Sequence, residues 1–263
     1  MCRTALLALM LPFTAANADV VIHGTRVIYP SDAREITVKV TNEGTSPALV
    51  QAWIDEGDAK ITPDQSKSPF VITPPITRVE PGKGQSLRVS ALPGVNSLSK
   101  TQESLFWLNV LDIPPKPTKK DADSGSDNFL QLAIRSRLKF FYRPAGLKGD
   151  SLSAPKQLQW SVQGNTLTIK NPTPYHVTIT SIVQKPVGAA TDKVEVLTDG
   201  MMLAPFSEQK INVKNPNLKG MTFTTINDYG GRVQQVAEKR VIFTPLTIYN
   251  HTCFNHACAI KGD

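Results

Sequence analysis

The sequence predicts an all-β protein built as two successive β-sandwiches. Three observations carry that expectation. Short runs with period-two alternation of apolar and polar residues recur along most of the 263 residues. Turn signals separate them at Glu43-Gly44, Pro74-Pro75, Pro81-Gly82 and Pro93-Gly94. The pattern then breaks at Arg143-Pro144-Ala145-Gly146 and restarts, with almost no helix-like periodicity on either side.

The chain opens with Met1-Cys2-Arg3, an apolar run through Ala15 and the triplet Ala16-Asn17-Ala18. A basic start, an apolar stretch and a small-x-small end predict a signal peptide over residues 1–18. Pro12 within the run argues against a buried helix. Cys2 lies too early to be a lipidated cleavage-site cysteine. No later run reaches the roughly 18–20 apolar residues of a membrane span. An exported chain in an oxidising compartment is expected. The net charge of +7 suits acidic or carboxylate-bearing partners. Export argues against nucleic acid.

The first domain is expected over 19–143. Its strands are read as Val20–Pro30 (VVIHGTRVIYP), Glu35–Asn42, Ala48–Asp55, Phe70–Thr73, Ile76–Val79, Gln85–Ala91, Ser104–Leu111 and Leu130–Tyr142. Pro114–Asn128 is polar, proline-rich and long for a hairpin connection. Its Asp123-Ser124-Gly125 matches an aspartic-protease tripeptide without the hydrophobic flanks or a second copy. Asp121 and Asp123 lack the rest of a calcium loop. The segment reads as a solvated loop. The second domain is expected over 146–263. Its strands are read as Leu158–Val162, Thr166–Asn171, Val177–Val183, Lys193–Leu197, Glu208–Val213 and Thr222–Asn227. Val241–Tyr249 reads as a further strand or a tail.

Leu130–Pro144 (LQLAIRSRLKFFYRP) is the stretch that raises a functional question. Leu130, Leu132 and Ile134 share one face; Arg135, Arg137 and Lys139 share the other. An ordinary half-buried strand would point such aliphatics into its own core. An edge strand would instead offer them, with its backbone, to another protein. Alternation alone leaves both open.

Catalysis finds little support. There is no GxSxG elbow and no phosphate-binding glycine loop, and Gly82-Lys83-Gly84-Gln85-Ser86 reads as a turn. Asp55-Glu56 ends a strand without a visible opposing acid. His251, Cys253, His256 and Cys258 fall within eight residues, a spacing open to zinc or copper. A Cys253–Cys258 disulfide is the other reading, and the expected compartment weighs towards it. Asn250-His251-Thr252 is formally a glycosylation sequon. Trp53, Trp107 and Trp160 sit at strand positions that look like core, which argues against a carbohydrate-binding sandwich needing exposed aromatics.

Four stretches, in this order, resemble one family: Gly24–Pro30 (GTRVIYP), Glu103–Pro115 (ESLFWLNVLDIPP), Leu130–Pro144 and Ile226–Gly231 (INDYGG). The chain is similar to the periplasmic chaperones of chaperone–usher pili, the P-pilus chaperone family. The resemblance implies two immunoglobulin-like domains in an L, with a cleft between them. It implies a non-enzymatic chaperone without a cofactor that binds pilus subunits. Such a chaperone lends its G1 strand to a subunit whose sandwich lacks one strand, and delivers the subunit to an outer-membrane usher.

Carried over residue by residue, Leu130, Leu132 and Ile134 match the donated strand. Arg26 and Lys139, assisted by Thr25, match the cleft cations that grip the subunit's C-terminal carboxylate. Glu103, Arg143 and Asp228 match an interdomain ionic network. Some relatives carry a C-terminal disulfide, which favours Cys253–Cys258 bonding. The loop before G1 is longer than in many short-loop members. It still lacks the cysteine pair of the long-loop subclass, and the N-terminal strand is short, so the short-loop subclass is expected. The same resemblance implies a periplasmic location, and a bare edge strand would let the free chain self-associate weakly. The competing expectation is a secreted metal-binding or hydrolytic sandwich protein using the His251/Cys253/His256/Cys258 cluster.

Overall fold

The computed structural model describes residues 20–116, 131–185 and 194–238. In the first domain, β1 (Val20–Ile22), β3 (Glu35–Asn42), β7 (Gly84–Ala91) and β5 (Phe70–Thr73) form one sheet, ordered β1-β3-β7-β5. The facing sheet is built from β2 (Arg26–Pro30), β9 (Ile134–Arg143), β8 (Ser104–Ile113), β4 (Ala48–Asp55) and β6 (Ile76–Val79), in that order. The β2–β9 pair is parallel and its neighbours are antiparallel.

Period-two alternation explains the core between the sheets. Val38 and Val40, Val50 and Ile54, Leu87 and Val89, Leu108 and Val110 all point inward and are buried. Phe70 seals the centre, with its ring 5.2 Å from Phe106 and 4.8 Å from Phe140, both in edge geometry. The Tyr29 ring packs on Phe70 at 5.2 Å, and its hydroxyl receives the Ala91 N–H.

The second domain pairs β10 (Gln159–Gln163), β11 (Thr166–Lys170) and β15 (Glu208–Asn212) in one sheet. The other runs β13 (Val194–Leu197), β12 (Val177–Gln184), β16 (Thr222–Ile226) and β17 (Arg232–Val236), with β14 (Met201–Leu203) also on β12. Leu167, Ile169, Ile179, Ile182 and Met221 fill its core, where the Trp160 and Phe223 rings lie 4.8 Å apart. Two one-turn 3-10 segments, Pro93–Ser97 and Ala154–Gln157, are the only helical elements among the described residues. No helix among those residues is long and apolar enough to cross a membrane.

Several expectations need correction. Val20–Pro30 is two strands in opposite sheets. The chain crosses over at His23–Thr25, and Gly24 takes φ +128°, a region L side chains rarely enter. The strand read from Leu130 starts at Ile134; Gln131–Ala133 precede it outside the ladder. Met201–Leu203 and Arg232–Val236 are strands that alternation did not single out. Trp53 and Trp160 are buried as expected, but Trp107 is only partly buried and stands on the outer face of its sheet. Residues 1–18, Leu130, Asp121, Asp123, Val241–Tyr249 and the His251/Cys253/His256/Cys258 cluster lie outside the described residues.

Candidate functional site

The site is assembled along β9. Its C-terminal half is an inner strand, since Lys139–Arg143 pair with Arg26–Pro30 of β2 while β8 covers the other side. Its N-terminal half pairs with β8 alone, so Ile134–Leu138 present an open backbone edge among the described residues. Leu132 and Ile134 are 62 % and 54 % exposed, although the same face further along buries Phe140 completely. These two aliphatics therefore contribute little to the domain's own core.

Five residues on, about 17 Å along a strand, Lys139 stands directly beside Arg26 in the parallel ladder. Two adjacent cations on one face repel, and here both are partly buried. The Lys139 ammonium donates to Thr178 Oγ1 of the second domain at 3.2 Å. The Arg26 guanidinium donates to the Ile226 carbonyl at 3.0 Å, and its Nε is buried without a partner among the described residues. Neither side chain forms an ion pair among the described residues. Burial holds Lys139 below the ordinary lysine pKa, and Arg26 adds to the effect. Burial also lowers Arg26, against the opposing pull of Asp228 and Glu103. Both cations would be relieved by an incoming anion. Thr25 does not hydrogen-bond either of them; its side chain is packed so close to Gly230 that a Cβ there would lie 2.7 Å from Thr25 Oγ1.

At the far end of the same ladder, Arg143 joins the two domains. Its Nε donates to Glu103 Oε1 at 2.7 Å. Nη1 and Nη2 donate to the two Asp228 oxygens at 2.7 and 3.1 Å, a bidentate clamp. Ser151 adds a third bond to Asp228, at 2.7 Å. Burial alone would raise the Asp228 pKa, but the bonds from Arg143 and Ser151 outweigh it and hold the carboxyl below its usual range. Burial likewise works against the Arg143 charge, yet Asp228 and Glu103 raise its pKa further.

Glu103 has a partner that the sequence did not suggest. Its Oε2 accepts the His176 backbone N–H at 2.7 Å and lies 3.1 Å from His176 Nδ1. Since a carboxylate only accepts, Nδ1 carries the proton in this contact. His176 also stacks on Phe141 at 5.1 Å. These partners are separated by 73 residues, and no local pattern announces them.

The outer face of β4, β8 and β9 carries a second unannounced group. Asp55 is almost fully buried and accepts from Arg137 (2.6 Å), Asn109 (2.6 Å) and the Gly57 N–H (2.7 Å). Arg137 is thereby held over Trp107, its guanidinium carbon 4.4 Å from the ring centre. Arg135 lies 5.8 Å from the Trp53 ring. The partly buried Trp107 ring serves as a platform for Arg137 rather than as core.

The comparisons with known proteins agree with this geometry. Residues 19–148 match the model of the pili and flagellar-assembly chaperone PapD N-terminal domain, and residues 153–237 that of the pili assembly chaperone PapD C-terminal domain. The chaperone protein FimB/FhaD of Bordetella pertussis is 45 % identical over 230 residues, covering 86 % of this chain and 90 % of its own. The crystal structure of the Pseudomonas aeruginosa CupB2 chaperone superposes with a TM-score of 0.70 at 35 % identity, covering 84 % of this chain and all of that one. The Salmonella enterica SafB chaperone, solved in complex with the SafA pilin, superposes at 0.63 with 26 % identity, covering 84 % of this chain and 98 % of that one.

Proposed function

Since this chain belongs to the PapD family of pili-assembly chaperones, we propose that it captures pilus subunits by donating β9 and anchoring their C-terminal carboxylate between Arg26 and Lys139. One observation carries the reading. An open strand edge with two exposed, alternating aliphatics leads in register to a pair of adjacent cations that no carboxylate of the described chain neutralises. Each aliphatic seated in a subunit groove would contribute roughly 1.5–3 kcal/mol. Each charge-assisted bond to a carboxylate would add about 1.5–3 kcal/mol. The anchor sets register, because a one-residue slip would turn the wrong face to the subunit. Leu130 is the third residue of the donated set in this proposal. Glu103, Arg143 and Asp228 hold the angle of the domains, and Thr25 fixes the wall of the cleft through Gly230.

The family is non-enzymatic, and assembly energy in this scheme comes from subunit folding. The signal-like N-terminus supports a periplasmic location, with transfer of the subunit to an outer-membrane usher. The metal-binding or hydrolytic alternative finds no support among the relatives.

The test is a pull-down of tagged wild type, Arg26→Ala/Lys139→Ala and Leu132→Glu/Ile134→Glu from cells co-expressing candidate pilus subunits. Wild type should recover a subunit, and both folded double variants should lose it. Equal recovery by the cation variant would remove Arg26 and Lys139 from the site. Equal recovery by the strand variant would remove the donor role of β9.

A further inference from the structure

We propose that the crevice bounded by Lys100, Lys148 and Phe206 is a binding site for a small amphipathic anion, a carboxylate or sulfonate on an aromatic body. The crevice has a volume of about 620 Å³ and is walled by the segment before β8 (Lys100, Thr101), the interdomain linker (Leu147, Lys148) and the second domain (Pro172, Phe206). It shares no lining residue with Arg26, Lys139 or the Arg143 clamp. Its size suits a small molecule.

Phe206 is the first sign. It is the third residue of the turn Ala204–Ser207, which is closed by the Ser207 N–H on the Ala204 carbonyl. Its φ is +54°, the conformation glycine adopts freely after a proline such as Pro205 and a bulky residue resists. The side chain gains no burial in exchange: it is 55 % exposed and stands outside the second domain's core. A large aromatic kept in a disfavoured turn position, without packing to explain it, points to a contact made in another state. Charge is the second sign. Lys100 and Lys148 are both exposed, and among the described residues neither forms an ion pair and no carboxylate lines the crevice. A ring stacked on Phe206 with its acid group towards the lysines satisfies both features.

The experiment is a titration of the mature full-length protein with 1-naphthoate, followed by amide NMR. Saturable shifts are expected at Thr101, Gly146, Gly149 and Thr173. Neutral 1-naphthalenemethanol should bind about tenfold more weakly, and Lys100→Gln/Lys148→Gln should erase that preference. Phe206→Gly should melt above wild type, because glycine suits the turn, yet bind about tenfold more weakly. No saturable shift, shifts confined to other surfaces, or unchanged binding by Phe206→Gly would overturn the site. Equal affinity for the acid and the alcohol would overturn its preference for anions.

Discussion

Replacing Lys139 by methionine should make the free protein more stable while abolishing subunit capture. Lys139 and Arg26 are paired across neighbouring strands, and their tips diverge only as far as Thr178 and Ile226 allow. For two like charges at a representative spacing of about 6 Å and an effective dielectric near 20, Coulomb's law gives a repulsion of about 3 kcal/mol. Solvent and salt reach these partly buried groups and leave roughly half of that. Removing a half-buried ammonium returns about 1 kcal/mol more, and methionine keeps the packing of the stem. Against this stands the Nζ–Thr178 bond, about 1.5 kcal/mol. The balance is a gain of about 1 kcal/mol, or about 2–4 °C in Tm for a protein of this size.

Urea unfolding and thermal melts of both proteins, at low and at 0.5 M salt, measure it; the gain should shrink in salt. The pH dependence adds a second check. A lysine whose folded pKa lies below its ordinary value binds fewer protons in the folded state, so wild type gains stability as pH rises from that lowered value towards about 10.4. The variant lacks that rise. A methionine variant less stable than wild type by 1 kcal/mol or more would refute the reasoning, since it would mean that the cation is already satisfied in the free chain.

Asp228→Ala removes the bidentate clamp and the Ser151 bond, leaving a partly buried Arg143 with Glu103 alone; unfolding should cost about 3 kcal/mol less, and residual dipolar couplings should show a changed domain orientation. The Asp228 and Asp55 pKa values are held below the usual carboxylate range, so their stabilisation is complete above about pH 4 and is lost as pH falls through their folded values. Acid titration of stability should therefore be shallower for Asp228→Asn than for wild type. Gly230→Ala should destabilise by about 1–3 kcal/mol, because its φ is +84° and the new methyl meets Thr25. Thr25→Ala in the same chain should recover part of the loss in a denaturation series.

The regular strands were legible because their inward residues keep period two, as Val38 and Val40 or Leu108 and Val110 do. What escaped was decided by partners distant in sequence. Only the isolated Gly24 marks the crossover locally, since strand-like residues continue on both sides while the chain changes sheets. Arg232–Val236 (RVQQV) carries too little apolar alternation to stand out, and it is a strand because β16 pairs with it. Arg26, Lys139, Glu103, Arg143 and Asp228 were reached through motif resemblance, and their mutual contacts then followed from the fold. His176 on Glu103 and Arg137 on Asp55 join residues 73 and 82 positions apart, and neither left a trace in spacing. Trp107 was misplaced because a tryptophan under an arginine and a tryptophan in a core look alike in a strand pattern.

The shared ladder of β2 and β9 has a consequence for how this stretch can vary. Open edge, cation pair and domain clamp follow one another on a single strand at Ile134–Leu138, Lys139 and Arg143. Their separation is counted in residues, and each added or deleted residue would reverse the facing of everything beyond it. Between Ile134 and Arg143, then, the exposed side chains of Ile134 and Arg135 are exchangeable but length is not. A lineage adapting to new clients could rewrite the exposed start of β9 while keeping Lys139, Phe140 and Arg143, but any change in its count would need a second, compensating change within the same strand.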